Sequence, residues 1–331
     1  MRNSKSSVLV IGSGELGSRH LQAICQIPYL ERIDVLDQRI EALNVARSRV
    51  ESISNRNKFI EYQWIQDISK ISSQYDLIVV ATQATERVQI IKELIAKNIS
   101  RKFFIEKVVA QSTSEYESLL SVCEKNNIKI WVNLKSRLHP SHLRVKQKLN
   151  SEEKIVFHVL GGNHGLGNNG VHVADLFIYF SNQKKINLQK ESIDLILHRS
   201  KRSNEIFDLS GELYGNTDKG DSFFLSFQKD NLAFPLFYIS SASYRAIVDD
   251  SNKWMLEATE AGKWKWEPYN IDKNIMVSEL STVIVSDILT KQQCSLPLLD
   301  EAYGSHQFIL DALHPTFKKL IKNDLELCPI T

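Results

Sequence analysis

Paired cysteines, a charge excess, long apolar runs and internal repeats are all missing from this 331-residue chain. Its four cysteines, Cys25, Cys123, Cys294 and Cys328, lack the short spacings of a zinc knot or a redox pair and read as reduced structural thiols. That usage suits an intracellular protein. Lys and Arg number 41 against 39 Asp and Glu, so the formal net charge is only +2 and no global field draws a polyanion. Nucleic acid is therefore not an expected partner. The apolar stretch Val8 to Ile11 is far too short for a signal peptide or a membrane span, which leaves a cytoplasmic chain without a membrane partner as the expectation. The histidines have no carboxylate or cysteine at ligand spacing, so no metal is expected.

What is present suffices for two hydrophobic cores, since 43% of the residues are apolar. Up to Asn133, strands and helices alternate. Strands are predicted over Val8–Ile11, Arg32–Leu36, Ile60–Ile65, Tyr75–Ala81, Phe103–Ile105 and Ile128–Val132. Helices follow through Leu21 and Ile24, over Ile40–Val50, through Val88, Ile91, Leu94 and Ile95, and from a capping box at Ser112 and Glu115. Such alternation is the signature of a doubly wound parallel α/β sheet.

Beyond Leu134 the pattern changes to short strands rich in Phe, Ile and Leu: Ile155–Leu160, Ser192–Leu197, Phe207–Tyr214, Ser222–Phe227, Phe234–Ser240 and Trp254–Ala258. Turns at Gly215–Thr217 and Lys229–Asn231 suggest antiparallel pairing. Helices over Val277–Ile288 and Ala302–Leu320 close the chain. The expected architecture is a Rossmann domain over 1–133 and an α+β domain over 134–331 with a largely antiparallel open sheet. The late helices are candidates to pack back on the first domain.

Gly12-Ser13-Gly14-Glu15-Leu16-Gly17 directly follows the first strand and opens a helix. A dinucleotide site needs that spacing: one glycine for the sharp turn, one to admit the pyrophosphate, one for close helix–strand packing, with the helix amino end facing the phosphates. Asp37 ends the second strand, where a carboxylate accepts ribose hydroxyls and repels a 2′-phosphate, so NAD is preferred over NADP. Arg39, two residues on, softens that preference. Ala81 and Thr82 end the fourth strand on the same edge. Glu106 and Lys107 end the fifth, and a lysine there can favour a developing alkoxide during hydride transfer. A solvent-facing ion pair is the plain alternative for these two residues. The dense glycines from Gly161 to Gly170 mark close approach of backbone to something, and His172 follows near the start of an apolar helix. His164 lies on the loop side of that segment. Either histidine has a satisfied structural role as its alternative.

Nearly the whole chain resembles the Gfo/Idh/MocA oxidoreductases, the family of glucose-fructose oxidoreductase and inositol dehydrogenase. Glu106-Lys107 corresponds to the family's Glu-Lys-Pro, and the resemblance implies that Lys107 is catalytic. Arg137-Leu138-His139-Pro140 looks like its Arg-x-x-Pro, and Gly170-Val171-His172 like the Gly-x-His that supplies the catalytic histidine. Asp175 follows at the usual place in that helix. Three departures stand out: Val108 replaces the proline, Asn168 replaces an aspartate four residues before the histidine, and Thr82-Gln83-Ala84-Thr85-Glu86-Arg87 keeps only the threonine of Thr-Pro-Asn-x-x-His. An asparagine orients and donates but takes no proton as a base. Trp131-Val132-Asn133 and Gly161 through Asp175 also resemble a branch found near genes for surface-sugar synthesis.

The resemblance implies an NAD-dependent dehydrogenase or reductase acting on a secondary alcohol or ketone of a sugar or nucleotide-sugar. Lys107, His172 and Asn168 are its catalytic candidates. Gly12, Gly14, Glu15, Leu16, Gly17, Asp37, Arg39, Ala81, Thr82, Glu106 and Lys107 are its cofactor contacts, and Arg137, Asn163, His164 and His172 its substrate contacts. A homodimer or homotetramer is expected through the open sheet face. Loss of the carboxylate at Asn168 keeps open a non-catalytic dinucleotide-binding regulator with a protein partner.

Overall fold

The computed structural model describes residues 6–162, 164–200, 203–230, 233–271, 277–322 and 324–331. The first part of the chain forms β1 (Ser6–Ile11), α1 (Glu15–Ile24), β2 (Leu30–Leu36), α2 (Ile40–Glu51), β3 (Glu61–Ile65), β4 (Leu77–Val80), α3 (Ala84–Ala96), β5 (Lys102–Ile105), α4 (Thr113–Asn126) and β6 (Lys129–Val132). After these come α5 (Pro140–Lys148), β7 (Val156–Gly162), α6 (Leu166–Ser181), β8 (Asn187–Ile193), β9 (His198–Arg199), β10 (Phe207–Asp208), β11 (Gly211–Asn216) and β12 (Ser222–Gln228). The last elements are β13 (Leu236–Ser240), β14 (Tyr244–Asp249), β15 (Trp254–Thr259), β16 (Glu267–Asn270), α7 (Val277–Lys291) and α8 (Tyr303–Leu320). Two compact units result. Met1–Ala110, Glu117–Asn133 and Asn274–Leu299 make the first; Gln111–Tyr116, Leu134–Lys273 and Asp300–Thr331 make the second.

The first unit is built on a six-stranded sheet in the order β3-β2-β1-β4-β5-β6, with every pairing parallel. Val8, Leu9, Val10, Leu77, Ile78 and Phe103 are all fully buried, as strands covered on both faces require. Strand order reverses between β1 and β4, and that reversal opens a crevice at their carboxyl ends. The outer edge of β6 does not stay open: Val132 N–H donates to Pro297 O at 3.0 Å and Leu299 N–H to Ile130 O at 2.9 Å. α7 joins α1 through Thr282 Oγ1, which donates to Ala23 O at 3.0 Å, and through a 2.6 Å bond between the Tyr29 and Ser286 hydroxyls.

The second unit carries an eight-stranded sheet, β16-β15-β14-β13-β7-β12-β11-β8, in which β7 and β12 alone run parallel. Its inner face is aromatic. Phe223 meets Phe177 at 5.1 Å and Phe308 at 5.3 Å between ring centroids, so α6 and α8 are fixed on the sheet by stacked and edge-on rings. On the outer face Leu160 is 51% exposed and Tyr214 40%. Among the described residues, no helix is long and apolar enough to cross a membrane.

Several expectations change. The strand expected over Ser192–Leu197 lies earlier, as β8. The one expected over Phe207–Tyr214 is split into β10 and β11, because the chain kinks at Gly211, whose φ is +132 and whose added Cβ would stand 2.3 Å from Ser192 O. Gly215 is part of β11, and the turn falls after it, with Gly220 N–H donating to Thr217 O at 2.9 Å. Asn231, at the other expected turn, lies outside the described residues. α5, β14 and β16 have no counterpart among the elements expected from sequence. The glycine-rich stretch before His172 is not a loop throughout, since α6 begins at Leu166 and runs straight through Gly167 and Gly170.

Candidate cofactor and catalytic site

The glycine loop lies at the carboxyl end of β1. Gly12 takes a φ of +83, and a Cβ there would approach Ala81 C and Thr82 N to 2.9 Å. At Gly17 a Cβ would fall 1.7 Å from Gly12 O. These two glycines are demanded by the fold itself. Gly14 is different: its Cβ would meet only Arg39 Nη2, at 3.5 Å, so the space above it is open. Gly14 is also the N-cap of α1, and among the described residues no side chain caps that helix. Open space, helix dipole and uncapped amides make the cradle a pyrophosphate needs. Glu15 and Leu16 form the first turn of α1 beside it. The Glu15 side chain is turned away to Arg49 at 2.7 Å, whose hydrogen bond and charge hold its carboxyl below the usual range.

Ala81 N–H donates to Ile11 O at 2.8 Å and locks β4 against β1. Thr82 beside it has a buried hydroxyl with no hydrogen-bond partner among the described residues. An orphaned hydroxyl at this edge suits a polar ligand group. Asp37 has protein partners on both carboxylate oxygens. Its Oδ2 accepts from Ser13 N–H at 2.8 Å and Ser13 Oγ at 3.2 Å, and its Oδ1 accepts from Arg39 N–H at 3.0 Å and Arg39 Nε at 3.4 Å. The carboxylate thus braces the glycine loop against the start of α2.

Glu106 and Lys107 are 5% and 7% exposed, so they are not a solvent-facing pair. Glu106 Oε1 accepts from His20 Nε2 at 2.8 Å and from Asn133 Nδ2 at 2.5 Å, while His20 Nδ1 meets Ser281 Oγ at 2.8 Å. Burial pushes the Glu106 carboxyl up, but the hydrogen bond and charge of His20, the Asn133 amide and the Lys107 charge outweigh it and hold it at about 2. This carboxylate anchors the strand end from within the core. The peptide between Lys107 and Val108 is cis. Arg87, 1% exposed on α3, donates to both Val108 O and Thr82 O and so ties the lysine turn to the end of β4. No sequence motif singles out His20, and Arg87 enters the sequence reading only as the residue at the histidine position of Thr-Pro-Asn-x-x-His. His20 carries a signal nonetheless, a polar side chain on the otherwise buried stripe of α1.

In the second unit, α6 presents Asn168 and His172 one turn apart on the same side of the helix, both half-buried. Its N-cap, Gly165, has no capping side chain of its own. Asp208 of β10 supplies one, accepting from Gly167 N–H at 2.7 Å and Asn168 N–H at 3.2 Å. The glycine density is thereby explained: a Cβ on Gly165 would lie 1.8 Å from Asp208 Oδ2, and one on Gly167 would lie 2.5 Å from Ile330 Cγ2. Arg137 grips the fully buried Asp175 through two bonds, Nε at 2.7 Å and Nη2 at 2.6 Å, and lies over the Tyr179 ring. Its fork thus serves α6 itself. His164 Nδ1 donates to Gly162 O at 2.9 Å, and Asn163 lies outside the described residues.

Residues 6–134 match the family description "Oxidoreductase family, NAD-binding Rossmann fold" of the GFO_IDH_MocA group. This segment is a Gfo/Idh/MocA domain. Gly14's open cradle and Thr82's orphaned hydroxyl fit the NAD that a Gfo/Idh/MocA domain binds. No curated protein matches the sequence. Among solved structures, an oxidoreductase from Agrobacterium radiobacter in complex with NAD+, L-tartaric acid and magnesium is 13% identical, with a TM-score of 0.74, covering 96% of this chain and 97% of its own. Levoglucosan dehydrogenase in complex with NADH and L-sorbose is 14% identical, with a TM-score of 0.73 over 96% and 97%. The transcriptional regulator Gal80p from Kluyveromyces lactis is 14% identical, with a TM-score of 0.69 over 96% and 90%. At such identities the likeness is one of fold, and it covers 96% of the chain.

Proposed function

We propose that this chain is an NAD-dependent dehydrogenase or reductase acting on a secondary alcohol or ketone of a sugar-like molecule. The observation that carries the reading is Lys107: a buried ammonium at the ligand-binding edge of the sheet, whose charge acts on the Glu106 carboxylate and whose neighbour Val108 is fixed by Arg87. A lysine braced in this way serves no solvent-facing ion pair. Nicotinamide supplies or takes the hydride when bound. Lys107 then offers a hydrogen bond and a positive charge to the reacting oxygen as negative charge grows on it. His172 is the group we assign to proton exchange, and Asn168, one turn before it, orients by hydrogen bonding and takes no proton. The sugar-like substrate class draws support from the names of the neighbours, one solved with tartaric acid and one with sorbose. We further propose a homodimer or homotetramer joined through the outer face of the second unit's sheet.

Native mass spectrometry for retained cofactor, followed by a sugar and nucleotide-sugar screen read by NADH absorbance, tests the enzyme. Lys107→Ala and His172→Ala should each lower turnover by about 10²–10⁴-fold while leaving NADH binding intact. Full turnover in both variants would discard this site. Asn168 favours a second reading, a dinucleotide-binding regulator with a protein partner, which gains weight from the Gal80p fold. An exhaustive screen without turnover, together with NAD-dependent capture of a specific protein, would put the regulator in the enzyme's place.

A further inference from the structure

We propose that Gln111 and Ile330 are positioning residues: through β10 they fix the first turn of α6, and with it the places of Asn168 and His172. The inference rests on the reading of those two side chains as site residues and adds the part of the chain that holds them. The helix has little hold of its own there. Its N-cap, Gly165, brings no side chain, and Gly167 and Gly170 weaken the turns that present Asn168 and His172. The first amides of α6 are satisfied from outside the helix. Leu166 N–H donates to Leu209 O at 2.8 Å, and Gly167 N–H and Asn168 N–H donate to the Asp208 carboxylate at 2.7 and 3.2 Å. All three acceptors belong to residues 208–209, where β10 ends. That strand is only two residues long and pairs with the equally short β9. A ladder of that size is marginal on its own.

What steadies it is the segment 328–331. Phe207 N–H donates to Pro329 O at 2.8 Å, so the strand is held by a backbone bond one residue before its capping carboxylate. Ile330 packs directly on the helix: a Cβ on Gly167 would lie 2.5 Å from Ile330 Cγ2, so the isoleucine methyl occupies the volume of the missing side chain. Gln111 in turn fixes the segment. Its carbonyl accepts from Cys328 N–H at 2.7 Å, and its side-chain Nε2 donates to Ile330 O at 2.9 Å. Glu115 holds Gln111 in place, since its Oε2 accepts from Gln111 N–H at 3.1 Å. Gln111, Cys328 and Ile330 are all buried, which keeps water from competing for these bonds. Core filling alone would need no such bonds. Here a chain of them runs from Gln111 through 328–330 to Phe207 and Asp208, and it ends on the amides of Gly167 and Asn168.

NMR of the full chain carrying isotope-labelled histidine reads the surroundings of His172 without any substrate, and its resonance is identified by its loss in His172→Ala. Ile330→Ala and Gln111→Ala should each shift that resonance, while the His20 resonance keeps its position and NADH affinity changes by less than about threefold. Ile330→Val retains Cγ2 and should leave His172 where it is. Gly167→Ala should also move His172, and combining it with Ile330→Ala should bring the resonance back towards the parent position, because one methyl group replaces the other. This exchange keeps the test open if Gln111→Ala does not fold. On a substrate of the parent enzyme, Ile330→Ala should lower kcat by about tenfold or more and change KM by less than about threefold. An unmoved His172 in folded Ile330→Ala, an equal shift in Ile330→Val, or a double variant no better than Gly167→Ala would overturn the proposal. Should the expected shifts occur in a parent protein that turns over no substrate, the placement of His172 stands and the enzyme reading alone is lost.

Discussion

A methyl group added at Gly17 would lie 1.7 Å from Gly12 O, whereas one added at Gly14 would meet only the far end of the Arg39 side chain. Gly17→Ala should therefore unfold the loop and lower stability by several kcal/mol, upwards of about 3. Gly14→Ala should keep its melting temperature and lose NADH affinity. Thermal melts and NADH titrations side by side separate the two, and equal melts would contradict the packing at Gly17. Glu106 leads to a pH effect. Its carboxyl is held at about 2 against an ordinary 4.5, so the stabilisation is present above pH 4.5 and disappears as pH falls towards 2. A tenfold change in acidity is worth about 1.4 kcal/mol, which makes the acid loss about 3 kcal/mol. Glu106→Gln should flatten that acid limb while destabilising the protein near neutrality, where His20 and Asn133 would lose their anion. An unchanged acid limb would count against the buried network. The glycine spacing and the strand-end Lys107 are legible because backbone geometry restricts residue type locally. The network is not: Glu106 meets His20 86 positions away and Asn133 27 away, and no local pattern records such pairings. The inward turn of Asp37 depends on Ser13 in the same way.

At the scale of single elements, the start of α6 is capped from a distance. Asp208→Ala should destabilise the protein by about 1–2 kcal/mol, since two helix amides lose their acceptor. Gly165→Ala should be worse, because its Cβ collides with that carboxylate. Combining the two removes the collision, so the double variant should be less destabilised than the sum of the single ones; additive losses in urea melts would refute the arrangement. Parallel strands of the first unit are legible as continuous apolar runs closed by polar residues. In β14 the alternation of buried Tyr244, Ala246 and Val248 with Arg245, Ile247 and Asp249 is a comparable signal, though a short one. β16 offers nothing comparable, for it contains Pro268 and its residues are almost all exposed. The first turns of α6 resemble a loop in sequence because glycines weaken helix propensity, and only the packing of Asp208, Ile330 and Ile309 against them justifies their presence.

For the whole molecule, the outer face of the eight-stranded sheet leads to a test of assembly. Val156, Leu160, Tyr214 and Trp254 are each more than a third exposed on it, and apolar side chains gathered on one sheet face mark an association surface. Light scattering at micromolar concentration should report a dimer or tetramer, and Leu160→Glu should shift it to monomer without loss of helix or strand signal. A monomeric parent protein would refute the assembly.

The path of the chain has a consequence for how the protein is made. After Asn133 the polypeptide leaves the first unit, and it comes back only with Asn274–Leu299, which brings Ser281 to His20 and lays Pro297 and Leu299 along β6. The long middle segment of the second unit, Leu134–Lys273, is in effect inserted within the first, and Asp300–Thr331 complete the second unit afterwards. During synthesis the nucleotide-binding unit stays incomplete, with a bare strand edge and an uncovered α1, until most of the message has been translated. A fragment ending at Asn133 should aggregate on expression, whereas the same fragment joined to residues 277–299 by a flexible linker should be recovered folded and able to bind NADH. Recovery of the short fragment in folded form would show that the returning segment is dispensable.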